Sequence, residues 1–133
     1  MKRDKVLDSY ALLSFFEGDK AGQKVRDILK DAAENDRELW LSVINWGEVL
    51  YVIERKAGKE RRDDIARLMT QMHIRIVDAD QDITGLAASF KAKGRISYAD
   101  CFAAALASTK KSELVTGDKE FRQLENEIKV VWM

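Results

Sequence analysis

Short apolar runs alternate with longer amphipathic segments along the whole chain, and that alternation leaves few folds open. Val6-Leu7, Leu39 to Val43, Ile74 to Val77, Leu114 to Thr116 and Ile128 to Trp132 have the length and side-chain character of strands. Between them, apolar residues recur at helical spacing from Tyr10 to Phe16, Lys20 to Asn35, Ser42 to about Lys56, Arg61 to Met72, Asp80 to about Lys93 and Ser97 to about Lys110. Val25, Ile28, Leu29 and Ala32, for example, share one face of the second helix. Gly18, Gly58 and Gly94 end three of these segments, and Gly117-Asp118 opens a last short helix that stops near Leu124. Strands that take turns with helices pair in parallel, because each helix carries the chain back before the next strand begins. The expected class is α/β: a three-layer α/β/α sandwich around a mostly parallel five-stranded sheet, with residues 1–133 as a single domain.

In such a sheet, ligands bind beyond the carboxyl ends of the strands, so the residues that end strands one and four deserve scrutiny first. Asp8 ends strand one and Asp118 follows strand four in Val115-Thr116-Gly117-Asp118. Each has a local explanation as a helix N-cap, for which Asp is among the best residues. Thr116 has one as an ordinary strand residue. Glu48 is harder to explain structurally. It lies in Val43-Ile44-Asn45-Trp46-Gly47-Glu48-Val49-Leu50-Tyr51-Val52-Ile53, a helix so apolar all round that it is expected to be largely buried. A carboxylate there is costly unless it is paired or holds a metal, and Asn45 stands one turn earlier on the same face. The other reading is a partly exposed Glu at the rim of a core helix. Asp100 is the only charge in Ser97-Tyr98-Ala99-Asp100-Cys101-Phe102-Ala103-Ala104-Ala105-Leu106-Ala107. Ser97 and Asp100 also have the spacing of a capping box, with Asp in place of the usual Glu or Gln.

Taken together, the four acids say more. Four carboxylates cannot share a small pocket as bare anions, since each raises the pKa of the others. A hard divalent cation resolves the conflict, and Mg²⁺ or Mn²⁺ prefers oxygen ligands.

The stretches around these acids resemble the PIN-domain family and, within it, the VapC toxins of toxin–antitoxin pairs. The matching segments are Val6-Leu7-Asp8-Ser9-Tyr10-Ala11-Leu12-Leu13, Asn45-Trp46-Gly47-Glu48-Val49, Ile96-Ser97-Tyr98-Ala99-Asp100-Cys101-Phe102-Ala103-Ala104-Ala105 and Leu114-Val115-Thr116-Gly117-Asp118-Lys119-Glu120-Phe121. The ordered set carries the resemblance, which spans essentially the whole chain. It implies strand order 3-2-1-4-5 and a Mg²⁺- or Mn²⁺-dependent endoribonuclease. It also implies a homodimer and a small antitoxin partner. By position, Asp8, Glu48, Asp100 and Asp118 match the family's metal-holding acids, while Ser9, Asn45 and Thr116 match its supporting polar positions. Many relatives have Asp where this chain has Glu120. The expected reaction is hydrolysis of RNA to 5′-phosphate and 3′-hydroxyl ends. Three readings compete with it: an RNA-processing nuclease outside a toxin system, a PIN-like domain that binds RNA or protein without cutting, and a phosphoacceptor signalling domain of similar topology. For the last, Asp78 or Asp80 could imitate the acceptor, but Asp8-Ser9 lacks the acidic pair.

The rest of the chain narrows the setting. Lys plus Arg equal Asp plus Glu, so the formal net charge is zero and any RNA contact must come from local cations. Candidates are Arg55, Lys56, Lys59, Arg61 and Arg62, then Lys91, Lys93 and Arg95, then Lys119 and Arg122. A single cysteine excludes an intramolecular disulfide. MKRDKVLDSY lacks the apolar stretch of a signal peptide, and no segment has the length of a membrane span; a cytoplasmic protein with no membrane partner is expected. Asp78-Ala79-Asp80-Gln81-Asp82 opens like a calcium loop but has Ile83 and Ser89 where Gly and Glu are required. His73 is the only histidine, so metal sites built on two histidines are excluded. Cys101, Trp40, Trp46 and Trp132 read as core or interface residues.

Overall fold

The computed structural model describes residues 4–133. Lys2 and Arg3, two of the three basic residues in MKRDKVLDSY, lie outside them. Five strands, β1 (Lys5–Leu7), β2 (Leu39–Ser42), β3 (Arg75–Val77), β4 (Glu113–Thr116) and β5 (Val130–Trp132), alternate with helices. The helices are α1 (Ser9–Glu17), α2 (Lys20–Asn35), α3 (Val43–Ala57), α4 (Lys59–Gln71), α5 (Gln81–Lys93) and α6 (Tyr98–Lys110), with a 3₁₀ helix at Lys119–Leu124. The strands form one sheet in the order β3-β2-β1-β4-β5. All four pairings are parallel, so the expected mostly parallel sheet is wholly so.

Alternation along the strands builds the three layers, because successive side chains point to opposite faces. Val6, Leu114 and Val130 pack on one side with Phe90, Leu106 and Phe121, from α5, α6 and the 3₁₀ helix. Leu7, Leu41 and Val115 pack on the other with Leu12, Val25, Val49 and Ile65, from α1 to α4. Burial of each such side chain contributes about 1.5–3 kcal/mol. Every residue of α6 from Asp100 to Ala107 is buried, and this carries one carboxylate into the interior with the alanines. Cys101 is fully buried, while Trp40, Trp46 and Trp132 are partly buried against the two cores, as their sequence setting predicts.

Local chemistry fixes the boundaries. Gly18 ends α1 at φ +70°, a conformation that favours glycine, and its N–H bonds to the carbonyls of Ser14 and Phe15. Asp80 caps α5 by accepting the Ile83 N–H at 2.8 Å, which accounts for the acid-rich Asp78–Asp82 stretch without calcium. Three expectations need correction. Helix α4 begins at Lys59 rather than Arg61, because Gly58 closes α3 and opens α4 in a single residue. Strand β5 begins at Val130 rather than Ile128, whose N–H turns back to the Leu124 carbonyl. Helix α3 is not buried all round: Ile44 is 37% and Tyr51 49% exposed, so one apolar face meets solvent.

Candidate metal centre

Neighbouring parallel strands bring distant residues together at the carboxyl edge. Leu7 stands opposite Val115 in the β1–β4 register, so the residues that follow them, Asp8 and Thr116, emerge side by side. Asp8 is fully buried. Its Oδ1 accepts the Ala11 N–H at 2.8 Å, capping α1, and its Oδ2 accepts the Thr116 hydroxyl. Thr116 Oγ1 in turn accepts the Asp118 N–H at 3.0 Å. Asp118 Oδ1 caps the 3₁₀ helix by accepting the Glu120 N–H at 2.9 Å. Both Asp8 and Asp118 are therefore N-caps, as their local sequence predicts, and a continuous hydrogen-bonded chain links them through Thr116.

Glu48 reaches the same edge from α3. It is half-buried, which matches the rim alternative rather than a fully buried carboxylate. Ser9 Oγ donates to Glu48 Oε1 at 2.7 Å, and Asn45 Nδ2 approaches the same oxygen at 3.5 Å. Asn45 Nδ2 also donates to the Ala99 carbonyl at 3.2 Å, tying α3 to the start of α6. Asn45 is fully buried and its Oδ1 has no protein partner among the described residues. Ser97 caps α6 by accepting the Asp100 N–H at 3.2 Å. The reciprocal half of the expected capping box is absent from Asp100, since the Ser97 N–H goes to Glu120 Oε2 at 3.3 Å instead.

Carboxylate oxygens of Asp100, Asp118 and Glu120 lie within 4.8 Å of one another. They line a cleft of about 240 Å³ with Ser9, Tyr10, Leu13, Glu48 and Ser97. Asp8, Asn45 and Thr116 stand behind that lining. Tyr10 forms one wall with its ring against Gly117, where an added Cβ would come within 2.4 Å of Tyr10 Cε1. A glycine between Thr116 and Asp118 is thus what lets the ring close over the strand end. A larger hollow of about 390 Å³, lined by Lys5 and Leu39 among others, lies at the amino ends of β1 and β2, on the opposite sheet edge.

The electrostatics record the crowding. Burial raises the Asp8 carboxyl from 3.8 to about 7. Hydrogen bonds from Thr116 and the Ala11 N–H oppose that rise, and the charges of Asp118 and Glu48 add to it. Asp100 is raised to about 8, first by burial, then by a hydrogen bond to Asp118 that favours the protonated acid and by repulsion from Asp118 and Asp8. Acids in this state are strained as bare anions and suited to a cation. The donors are hard oxygens, with no histidine and with Cys101 turned into the core, which fits Mg²⁺ or Mn²⁺ better than zinc or copper.

Several candidate cations are engaged elsewhere. Lys56 pairs with Glu17 at 2.9 Å, Arg62 with Glu54 at 3.0 Å, and Lys93 with Glu127 at 2.7 Å. Lys91 donates to the Ile96 carbonyl at 2.8 Å. The exposed residues Arg95 and Lys119 stand two residues before the lining residue Ser97 and directly after Asp118. Two contributors were not legible from sequence: Tyr10 as a wall of the cleft, and Glu120 as a partner of α6. Their signals were weak: Tyr10 follows Asp8-Ser9, and Glu120 stands two residues after Asp118 where many relatives have Asp.

A family model described as the PIN domain matches residues 5–127. No curated protein matches the chain. Among solved structures, a chain of VapBC2 from Rickettsia felis, bound to a DNA fragment from its promoter, superposes with TM-score 0.79 at 18% identity, covering 97% of this chain and 98% of that one. A toxin–antitoxin complex from Klebsiella pneumoniae gives TM-score 0.68 at 21% identity and 96% coverage of both chains. Mycobacterium tuberculosis VapC20, a sarcin–ricin loop cleaving toxin, gives 0.71 at 14% identity, covering 90% of this chain and 94% of that one.

Proposed function

Because this chain belongs to the PIN-domain family, we propose that it is a Mg²⁺- or Mn²⁺-dependent endoribonuclease that hydrolyses RNA to 5′-phosphate and 3′-hydroxyl ends. The observation that carries this reading is the convergence of Asp8, Glu48, Asp100 and Asp118 on one sheet edge, two of them held as strained buried acids. That its structural neighbours come from toxin–antitoxin complexes favours the toxin role over general RNA processing. A small cognate antitoxin and a homodimeric state belong to the same proposal.

Asp8, Asp100, Asp118 and Glu48 would hold the metal. When bound, it supplies Lewis acidity for the attacking water and counter-charge for the phosphate oxygens. The protein's own part is placement. Thr116 bridges Asp8 Oδ2 and the Asp118 N–H and so sets the spacing of two carboxylates. Ser9 and Asn45 bond to Glu48 Oε1 at the cleft wall, from where the Glu48 carboxylate would take a proton from the water. Arg95 and Lys119 would hold flanking phosphates. Single-stranded or looped RNA suits the site, since its backbone and bases are accessible. Water attacks phosphorus and the P–O3′ bond breaks, which leaves the phosphate on the 5′ oxygen and a 3′ oxygen that takes up a proton from solvent, so no ribose 2′-hydroxyl is required.

Cleavage of a mixed RNA pool in Mg²⁺ and in EDTA, with Asp8→Asn as control, tests the assignment. Products that a 5′-phosphate-dependent exonuclease degrades are expected, made only in the metal and only by the wild type. Products ending in 2′,3′-cyclic phosphate, or cleavage that survives EDTA, would overturn it.

A further inference from the structure

Helix α6 begins with an N–H to satisfy and an acid within reach that does not satisfy it. The first turn of a helix leaves backbone N–H groups without intrahelical partners. In a capping box, the side chain three residues after the cap reaches back to the cap's own N–H. At Ser97 that residue is Asp100. Half of the box forms, with the Asp100 N–H on Ser97 Oγ. The other half comes from outside the helix, where Glu120 Oε2 takes the Ser97 N–H. A second contact of the same kind lies beside it: Gln123 Oε1 accepts the Arg95 N–H at 3.0 Å. Glu120 and Gln123, one 3₁₀ turn apart, thus clasp the segment leading into α6. Lys93 strengthens the clasp from α5 through its ion pair with Glu127 at 2.7 Å.

Resting on the metal-centre reading above, we propose that Glu120 is a positioning residue: it caps α6 from the 3₁₀ helix and thereby frees the Asp100 carboxylate to face Asp118. Its closeness to Asp100 and Asp118 follows from that task. One Glu120 oxygen is committed to a backbone donor. The residue is exposed, so water solvates its charge even with the Asp100 and Asp118 oxygens within 4.8 Å. Asp8 and Asp100, by contrast, are buried. The length of the side chain is part of the device, since the extra methylene of Glu over Asp extends the reach from the 3₁₀ helix to Ser97. With the Glu120 carboxylate removed, the Ser97 N–H falls to the Asp100 carboxylate, the acceptor a capping box uses, and that draws Asp100 out of the site.

Glu120→Ala and Glu120→Gln separate positioning from ligation, because the amide keeps an acceptor for the Ser97 N–H and loses the charge. Two readouts are taken: Mg²⁺ affinity by calorimetry, and the Ser97 amide resonance of the protein in EDTA. Glu120→Ala is expected to weaken Mg²⁺ by about tenfold, the usual scale for loss of a group that orients a ligand, and to move the Ser97 resonance. Glu120→Gln is expected to hold affinity within about threefold of wild type, the loss of one screened charge, with the resonance near its original place. Equal losses in the two variants would make Glu120 a metal ligand and overturn the proposal. A Ser97 resonance unmoved in Glu120→Ala would overturn the clasp itself. A wild type that binds no Mg²⁺ while Ser97 still responds to Glu120→Ala would overturn the metal reading, and this role with it, but leave the hydrogen bond standing.

Discussion

Asp8→Asn tests the electrostatic argument without any substrate. Asp8 is wholly buried and its carboxyl is held at about 7 rather than 3.8. For a carboxyl raised in the folded state, ionisation costs nothing below pH 3.8, because both states are protonated. Between 3.8 and about 7 the folded state holds the extra proton, so stability falls as pH rises, and above about 7 the full penalty is present. At 1.4 kcal/mol per pH unit that penalty approaches ~4 kcal/mol, less whatever local relaxation and water entry recover. Asn removes the charge and keeps the shape. Its Oδ1 can still cap the Ala11 N–H, and its Nδ2 can donate to Thr116 Oγ1, which keeps its bond from the Asp118 N–H. In EDTA, Asp8→Asn is therefore expected to match wild type near pH 4 and to melt higher at pH 8. If relaxation and water entry recover about half of that penalty, ~2 kcal/mol remains, and at roughly 4 °C per kcal/mol for a domain of this size a gain of about 8 °C follows. Mg²⁺ should then stabilise wild type and not the variant. Differential scanning calorimetry across pH 4–8, with and without Mg²⁺, measures both effects. A variant less stable than wild type at pH 8 in EDTA would refute the burial argument. A variant with the full Mg²⁺ shift would remove Asp8 from the metal site.

Two more outcomes follow from the same bonds. Metal and protons compete for Asp8 and Asp100, held at about 7 and about 8. Mg²⁺ affinity by calorimetry should accordingly rise steeply from pH 6 to pH 8 with net proton release, and a flat profile would contradict the assignment. Thr116→Val leaves Asp8 Oδ2 and the Asp118 N–H without their shared partner. It should cost about 1–3 kcal/mol in urea unfolding and slow cleavage, whereas Thr116→Ser should restore both.

Sequence and tertiary structure decided different things. The alternation of strand and helix segments settled the class, and Gly18, Ser42, Asp80 and Ser97 marked element boundaries, because periodicity and capping act within a few residues of the chain. Asp8, Glu48, Asp100 and Asp118 stood out for the same reason: each is a charge at a strand end or within an apolar helix. What local rules could not rank was capping against site. Asp8 and Asp118 both prove to be caps, each with one oxygen on a helix, and both also stand at the shared sheet edge where the site is proposed. Burial depended on which elements pack over which. It made Asp8 deeper than its strand-end position suggested and left Glu48 shallower than its apolar helix implied. The bond between Thr116 and Asp8 joins residues 108 positions apart, and the clasp of Glu120 on Ser97 spans 23. Both exist only because parallel strands and the helices between them return the chain to one edge, a consequence of topology that no local stretch of sequence contains.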